Sequence, residues 1–197
     1  LKVHRDVYIG DEITVDFITV DHWDEDIWQQ WKEIYHEAFG RKNAKPEKVI
    51  RNMFRMNMCY FHLAEDEGRI QAIALSGKLE ETTSLVIDYL AVSKNARKQG
   101  IGTQMVNYLK RWAKDNHHFD SIIIEVEAEE TEENTERVEF WKQCGFEATS
   151  YIHHYKVVPE PYRAMYHKLV PVAFIPEKAE TIFQYLSQFH QKCFRGA

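Results

Sequence analysis

"SLVIDYLAVSKNARKQGIGTQMV", residues 84–106, decides how the chain is read. Residues 84–92 are almost wholly apolar, as a strand buried on both faces should be. Behind "ARKQGIG" (96–102), Ile101, Met105, Tyr108, Leu109 and Trp112 recur at helical spacing. A basic run and two glycines one residue apart therefore stand where a strand turns into a helix. Unpaired N–H groups point outward at such a junction, and the helix dipole adds partial positive charge. Gly100 and Gly102 would let an anion approach the backbone, with Arg97, Lys98 and the Thr103 hydroxyl beside it. A tight turn that only eases strand–helix packing is the competing reading, and the heptapeptide alone does not choose. Two familiar phosphate loops fit poorly. No lysine follows the glycines as a P-loop requires, and a dinucleotide fingerprint needs glycine where Met105 stands.

Working outward, "SIIIEVE" (121–127) completes a βαβ unit whose strands should be parallel. Upstream, "CYFHLAED" and "RIQAIALSG" flank "EDEG" as a β-hairpin. A helix carrying Ile27, Trp31, Ile34 and Phe39 should end at Gly40, and Pro46 should open a second with Val49, Ile50, Met53 and Phe54. Near the start, "EITVDFITV" (12–20) reads as a strand with Ile13, Val15, Phe17 and Thr19 on one face. The acidic stretch after residue 127, including Glu129, Glu130, Glu132 and Glu133, reads as an exposed loop leading to a helix around "ERVEFWKQ". Strands are expected near 148–158 and 163–169, and a helical extension over 177–194. The order implies one mixed α/β domain over 1–197.

Composition agrees with a globular protein: 197 residues, 44% hydrophobic and 28% charged. A net charge of −6 argues against general nucleic-acid binding and favours a cationic partner. No apolar run has membrane-spanning length, and no basic-then-apolar signal layout opens the sequence. Cys59, Cys144 and Cys193 show no CxxC spacing, so reduced thiols in a cytoplasm are expected rather than disulfides or zinc. His117–His118 and His153–His154 lack metal-ligand spacing, and no metal is expected. The aromatic stripe Trp28, Trp31 and Tyr35 reads as core.

The segment "LAVSKNARKQGIGTQMV" resembles the acetyl-coenzyme A loop of the GNAT N-acetyltransferase superfamily, whose pattern Arg/Gln-x-x-Gly-x-Gly/Ala is matched by Arg97, Gly100 and Gly102. "NTERVEFWKQCGF" (134–146) is similar to the family's later Asn, helix, Gly-Phe pattern through Asn134, Gly145 and Phe146. The resemblance implies a GNAT-like fold, with a central mixed sheet of about six to seven strands flanked by helices. Its two central parallel strands, 84–92 and 121–127, would splay to admit the pantetheine arm. It further implies acetyl-coenzyme A as co-substrate. Backbone groups of Leu90, Ala91 and Val92 would line the pantetheine, and amides of Arg97, Lys98, Gln99, Gly100, Ile101, Gly102 and Thr103 would hold the pyrophosphate. Asn134 would lie near the pantetheine.

The activity implied is direct attack of a primary amine, on a small molecule or a peptide, upon the thioester. Such an amine has a pKa of about 10.4, so its proton needs an acceptor. Asp88, a charge within an apolar strand, is the first candidate; a carboxylate paired with a neighbouring cation is the equal alternative. Glu125 and Glu127, on one face of the next strand, are further candidates for proton removal or amine binding, with a salt-bridged role as the alternative. Trp141 occupies the position where the family often has the tyrosine that protonates the thiolate. Indole cannot supply that proton, so Trp141 would pack against pantetheine or hydrogen-bond the sulfur, and Tyr89, Tyr151 or Cys144 could act instead. Arg137 stands where a small residue is usual. A non-catalytic acyl-coenzyme A-binding protein of the same fold, and a module binding another phosphate ligand, are the competing functions. The tail helix either caps the sheet or forms a homodimer contact.

Overall fold

In the computed structural model, which describes residues 3–9, 14–156 and 158–196, a mostly antiparallel sheet is accompanied by five helices. All counts refer to the described residues. The chain divides into two compact units. The first comprises Leu1–Gly77, Ile87–Leu109 and Lys192–Ala197, the second Lys78–Val86 and Lys110–Gln191.

In the first unit the ladder runs β1 (Val3–Ile9), β2 (Thr14–Val20), β3 (Cys59–Asp66), β4 (Arg69–Lys78) and β5 (Ser84–Val92). The β3–β4 hairpin forms as its sequence requires. Asp66 pairs with Arg69, leaving a two-residue loop of Glu67 and Gly68, both at positive φ. That backbone twist matches the twist of the strands it joins. β1 was not expected; it pairs antiparallel with β2 along its whole length. On β2, Val15, Phe17, Ile18, Thr19 and Val20 are all buried, so the strand is covered on both faces. Ile13 lies outside the described residues.

Helix α1 (Glu25–Asn43) begins where Asp24 accepts a hydrogen bond from the Ile27 amide at 2.9 Å. Glu25 and Asp26 complement the dipole in its first turn. Gly40, at φ 62°, breaks the helix as anticipated, although one more turn follows the kink. α2 (Glu47–Arg55) opens after Pro46 and buries Val49, Ile50, Met53 and Phe54. Trp28, Trp31 and Tyr35 are core residues, their rings meeting Phe61 and one another. A polar chain also crosses this core: Tyr108 Oη to Thr19 Oγ1, Thr19 Oγ1 to His62 Nδ1, and His62 Nε2 to Ser76 Oγ, each 2.7 Å. With every link made, the hydrogen bonds offset the cost of taking these groups out of water.

In the second unit the ladder runs β6 (Ser121–Glu127), β9 (Pro161–Lys168) and β7 (Glu147–Ala148), with β8 (His153–His154) on β9. The nine strands exceed the six or seven expected because β1 was missed and β7 and β8 are too short to leave a pattern. The strand expected near 148–158 is reduced to those two bridges; Val157 lies outside the described residues. α3 (Ile101–His117) runs from the first unit into the second, and α5 (Ala179–Phe194) from the second into the first.

The acidic stretch is not all loop. α4 (Glu132–Gln143) starts at its second half, because Thr131 caps the Asn134 amide and Glu132 and Glu133 suit a helix N-terminus. Its other end explains the Gly-Phe pair. Phe146 N–H donates to the Trp141 carbonyl at 3.0 Å and Gly145 N–H to the Lys142 carbonyl at 2.7 Å. These two bonds define a Schellman ending with Gly145 left-handed at φ 78°. We expect Gly145→Ala to lower stability in urea unfolding by about 1 kcal/mol. The new methyl would meet the His167 ring at 3.5 Å, an ordinary contact, so the loss would be backbone strain.

Candidate active site

In the first unit, β5 ends at Val92, the Ser93 amide donates to the Gln71 carbonyl at 2.9 Å, and a 3-10 turn follows over Lys94–Ala96. Arg97 remains extended and its Nε donates to the Val92 carbonyl at 3.1 Å. Lys98 and Gly100 are then left-handed, at φ 62° and 79°. The first backbone bond at the mouth of α3 runs from Gln104 N–H to the Gly100 carbonyl at 3.0 Å. Among the described residues, the amides of Lys98, Gln99, Gly100, Ile101, Gly102 and Thr103 find no protein acceptor. A Cβ at Gly100 would have only Gln104 Nε2 within 4.0 Å, so the loop is open on that side. Six free amides at a helix mouth, beside Arg97 and Lys98, suit an extended polyanion. Leu90, Ala91 and Val92 form the last residues of the strand leading into it.

Asp88, further back on β5, is a paired carboxylate. Lys45 Nζ donates to both of its oxygens, at 2.7 and 2.6 Å, with the two side chains only 8% and 5% exposed. The Lys45 ammonium also lies 4.9 Å from the Tyr89 ring centre. Burial opposes the Lys45 charge most strongly, but the Asp88 carboxylate, with Cys193 and Tyr35 adding to it, raises the Lys45 pKa on balance. The hydroxyls of Tyr35 and Tyr89 accept from the Lys45 amide at 2.7 and 3.2 Å. Burial, with Asp88 nearby, pushes the Tyr89 phenol well above its ordinary range, which makes it a poor proton donor.

The other acids lie in the second unit on β6. Glu127 has Arg137 Nη1 at 3.7 Å, and the same guanidinium donates to Glu133 and Asn134. The buried Asn134 side chain is already engaged, donating to the Glu129 carbonyl at 3.1 Å and accepting from Arg137 at 3.3 Å. It closes the acidic turn ahead of α4. Trp141 is buried with its ring 5.0 Å from Phe146, the hydrophobic contact that accompanies the helix ending. Cys144 is buried at the C-cap of the same helix, and Tyr151 Oη lies 3.4 Å from His153 Nδ1.

Glu125 differs from both other acids. Tyr155 Oη donates to Oε1, and His190 Nε2 lies 2.6 Å from Oε2. Sequence reasoning missed both partners. His190 is 65 residues away on α5, just off the buried stripe of Ile182, Phe183, Leu186, Phe189 and Cys193. A titratable residue beside an apolar stripe was the available signal. His153 is half-buried and stacks on Phe183 with ring centres 4.4 Å apart.

Among the described residues, no group of three His, Cys, Asp or Glu side chains could hold a metal, and no helix is long and apolar enough to cross a membrane. Residues 23–146, more than half of the chain, match the model of the GNAT acetyltransferase family. The chain belongs to that family. Comparison with curated protein sequences gives no match. Among solved structures, a GNAT-family protein from Bacteroides thetaiotaomicron is similar at TM-score 0.68 and 16% identity, over 88% of this chain and 96% of the other. An aminoglycoside 6′-N-acetyltransferase complexed with coenzyme A is similar at TM-score 0.64 and 15% identity, over 80% and 99%. The ribosomal-protein-S18-alanine N-acetyltransferase of Escherichia coli is similar at TM-score 0.56 and 14% identity, over 82% and 97%. These likenesses concern the fold.

Proposed function

We propose that the chain transfers an acetyl group from acetyl-coenzyme A to a primary amine of a small molecule or peptide. The row of unpartnered amides from Lys98 to Thr103 carries this reading. They would hold the diphosphate, with Arg97 and Lys98 adding charge, while the pantetheine runs along the backbone of Leu90, Ala91 and Val92. One N–H of that strand would face the thioester oxygen and stabilise the oxyanion as it forms. The amine nitrogen bonds to the carbonyl carbon, the C–S bond breaks, coenzyme A leaves as thiolate, and the nitrogen gives up a proton.

We assign the proton to Glu125. Both Asp88 oxygens are taken by an ammonium, and Glu127 shares Arg137. Glu125 instead meets a phenol on one oxygen and an imidazole on the other, neither of them a fixed cation like those at Asp88 and Glu127. Trp141 has no proton to give the thiolate. Coenzyme A leaves without a side-chain acid in this scheme. A cationic acceptor suits the net charge of −6.

Thiol release measured across a panel of amines tests the proposal. Glu125→Gln should lower kcat by about 100-fold with acetyl-coenzyme A affinity unchanged. A wild-type chain that is thermally stabilised by acetyl-coenzyme A, yet releases no thiol with any amine, would be an acyl-coenzyme A-binding protein instead.

A further inference from the structure

The stretch that matches the family model ends at residue 146. Tyr155 and His190 lie beyond it, yet both reach the Glu125 carboxylate on β6. We propose that His190 of α5 is a positioning residue for Glu125, fixing the plane of the carboxylate and setting, through its own charge, how readily Glu125 takes the amine proton. This rests on the acetyl-transfer reading and adds to it a device that the matched stretch does not contain.

The geometry supports it in three ways. First, the two donors come from different elements, Tyr155 from the connection after β8 and His190 from α5, so the two oxygens are held independently. With the carboxylate ionised, Nε2–H of the imidazole is the donor to Oε2. Second, the Glu125 side chain is 13% exposed and His190 27%, so the imidazole can exchange protons with water while the carboxylate is mostly shielded. An imidazolium at 2.6 Å would neutralise the carboxylate and weaken its pull on the amine proton. A neutral ring leaves the hydrogen bond and removes that charge.

Third, the surrounding titratable groups do not blur this signal. They include Glu127 on β6, His153 and His154 on β8, Tyr155 in the connection that follows, and Tyr162 on β9, opposite Glu127 and within the field of Glu160. Burial lowers the His153 pKa and keeps that ring neutral. Burial and then Glu125 raise the Tyr155 pKa, and burial with Glu127 pushes Tyr162 up to about 12. Both phenols therefore remain protonated donors near neutral pH.

Two variants of the full chain test the proposal. His190→Leu removes the donor and should lower kcat by about tenfold, with KM for acetyl-coenzyme A within about twofold of wild type. His190→Gln keeps an N–H donor that cannot titrate. It should recover most of the turnover and flatten the acidic limb of the pH–rate profile. Wild-type kcat and an unchanged profile in His190→Leu would overturn the assignment while leaving acetyl transfer intact. So would a His190→Gln profile identical to wild type, a measurement that stands even if the leucine variant fails to fold. No thiol release by the wild-type chain would overturn the transfer reading itself.

Discussion

Asp88→Ala unfolds in urea with a loss of about 3–5 kcal/mol, and adding Lys45→Met restores most of it. The single substitution strands an ammonium that is 8% exposed and whose carboxylate partner supplied both of its close contacts with acidic oxygens. A buried charge without its counter-charge is among the costliest defects a core can hold. The double variant removes both charges, and apolar replacements of such pairs are often neutral or stabilising. The pH dependence follows from the sign of the shift. Because the folded state raises the Lys45 pKa above 10.5, it binds that proton more tightly than the unfolded chain. The stabilisation is therefore complete below pH 10.5 and is lost as pH rises through the higher, folded value. Thiol release by the double variant then settles the role of Asp88. Turnover near wild type makes it a structural residue; loss of turnover in a stable protein would return it to the chemistry.

Gly100→Val should weaken coenzyme A binding by at least about 100-fold, equivalent to about 2.7 kcal/mol. The loop amides bind an anion only if it approaches the backbone closely, and a side chain at Gly100 stands on the open side. At φ 79° the substitution also strains the backbone. Gly100→Ala separates the two effects. Its Cβ would come no nearer than 4.0 Å to the neighbouring Gln104 Nε2, so the methyl clashes with nothing in the protein. Strain costs it about 1–2 kcal/mol of stability. Isothermal titration of the folded alanine variant should still show a clear loss of affinity. Wild-type affinity there would move the diphosphate elsewhere.

Local patterns predicted local structure well. The glycine loop and helix α3, the hairpin at Glu67–Gly68, and the Gly145–Phe146 helix ending are each dictated by residues within a few positions of one another. Their reading needed only backbone preferences and periodicity. The candidate site was harder, because its meaning lies in partners distant along the chain. Asp88 was visible as a charge in an apolar strand, but Lys45 is 43 residues away and inconspicuous before Pro46. Glu125 was visible for the same reason, while His190 is 65 residues away. Nothing in the spacing of either pair distinguishes it from any other charged residues. The acidic stretch misled by composition: its acids read as loop until Thr131 is recognised as a cap, after which they are a favourable first turn.

The polar chain through the first unit has a sense as well as a length. A neutral imidazole has one nitrogen that gives and one that receives. If His62 Nδ1 receives from Thr19, Nε2 must give to Ser76, and Thr19, its single hydrogen spent, must receive from Tyr108. Choosing the other tautomer reverses the roles of Ser76 and Thr19 together. β2, β3 and β4 are thus tied by the orientation of one ring, and when Nδ1 receives, α3 joins them through the Tyr108 hydroxyl.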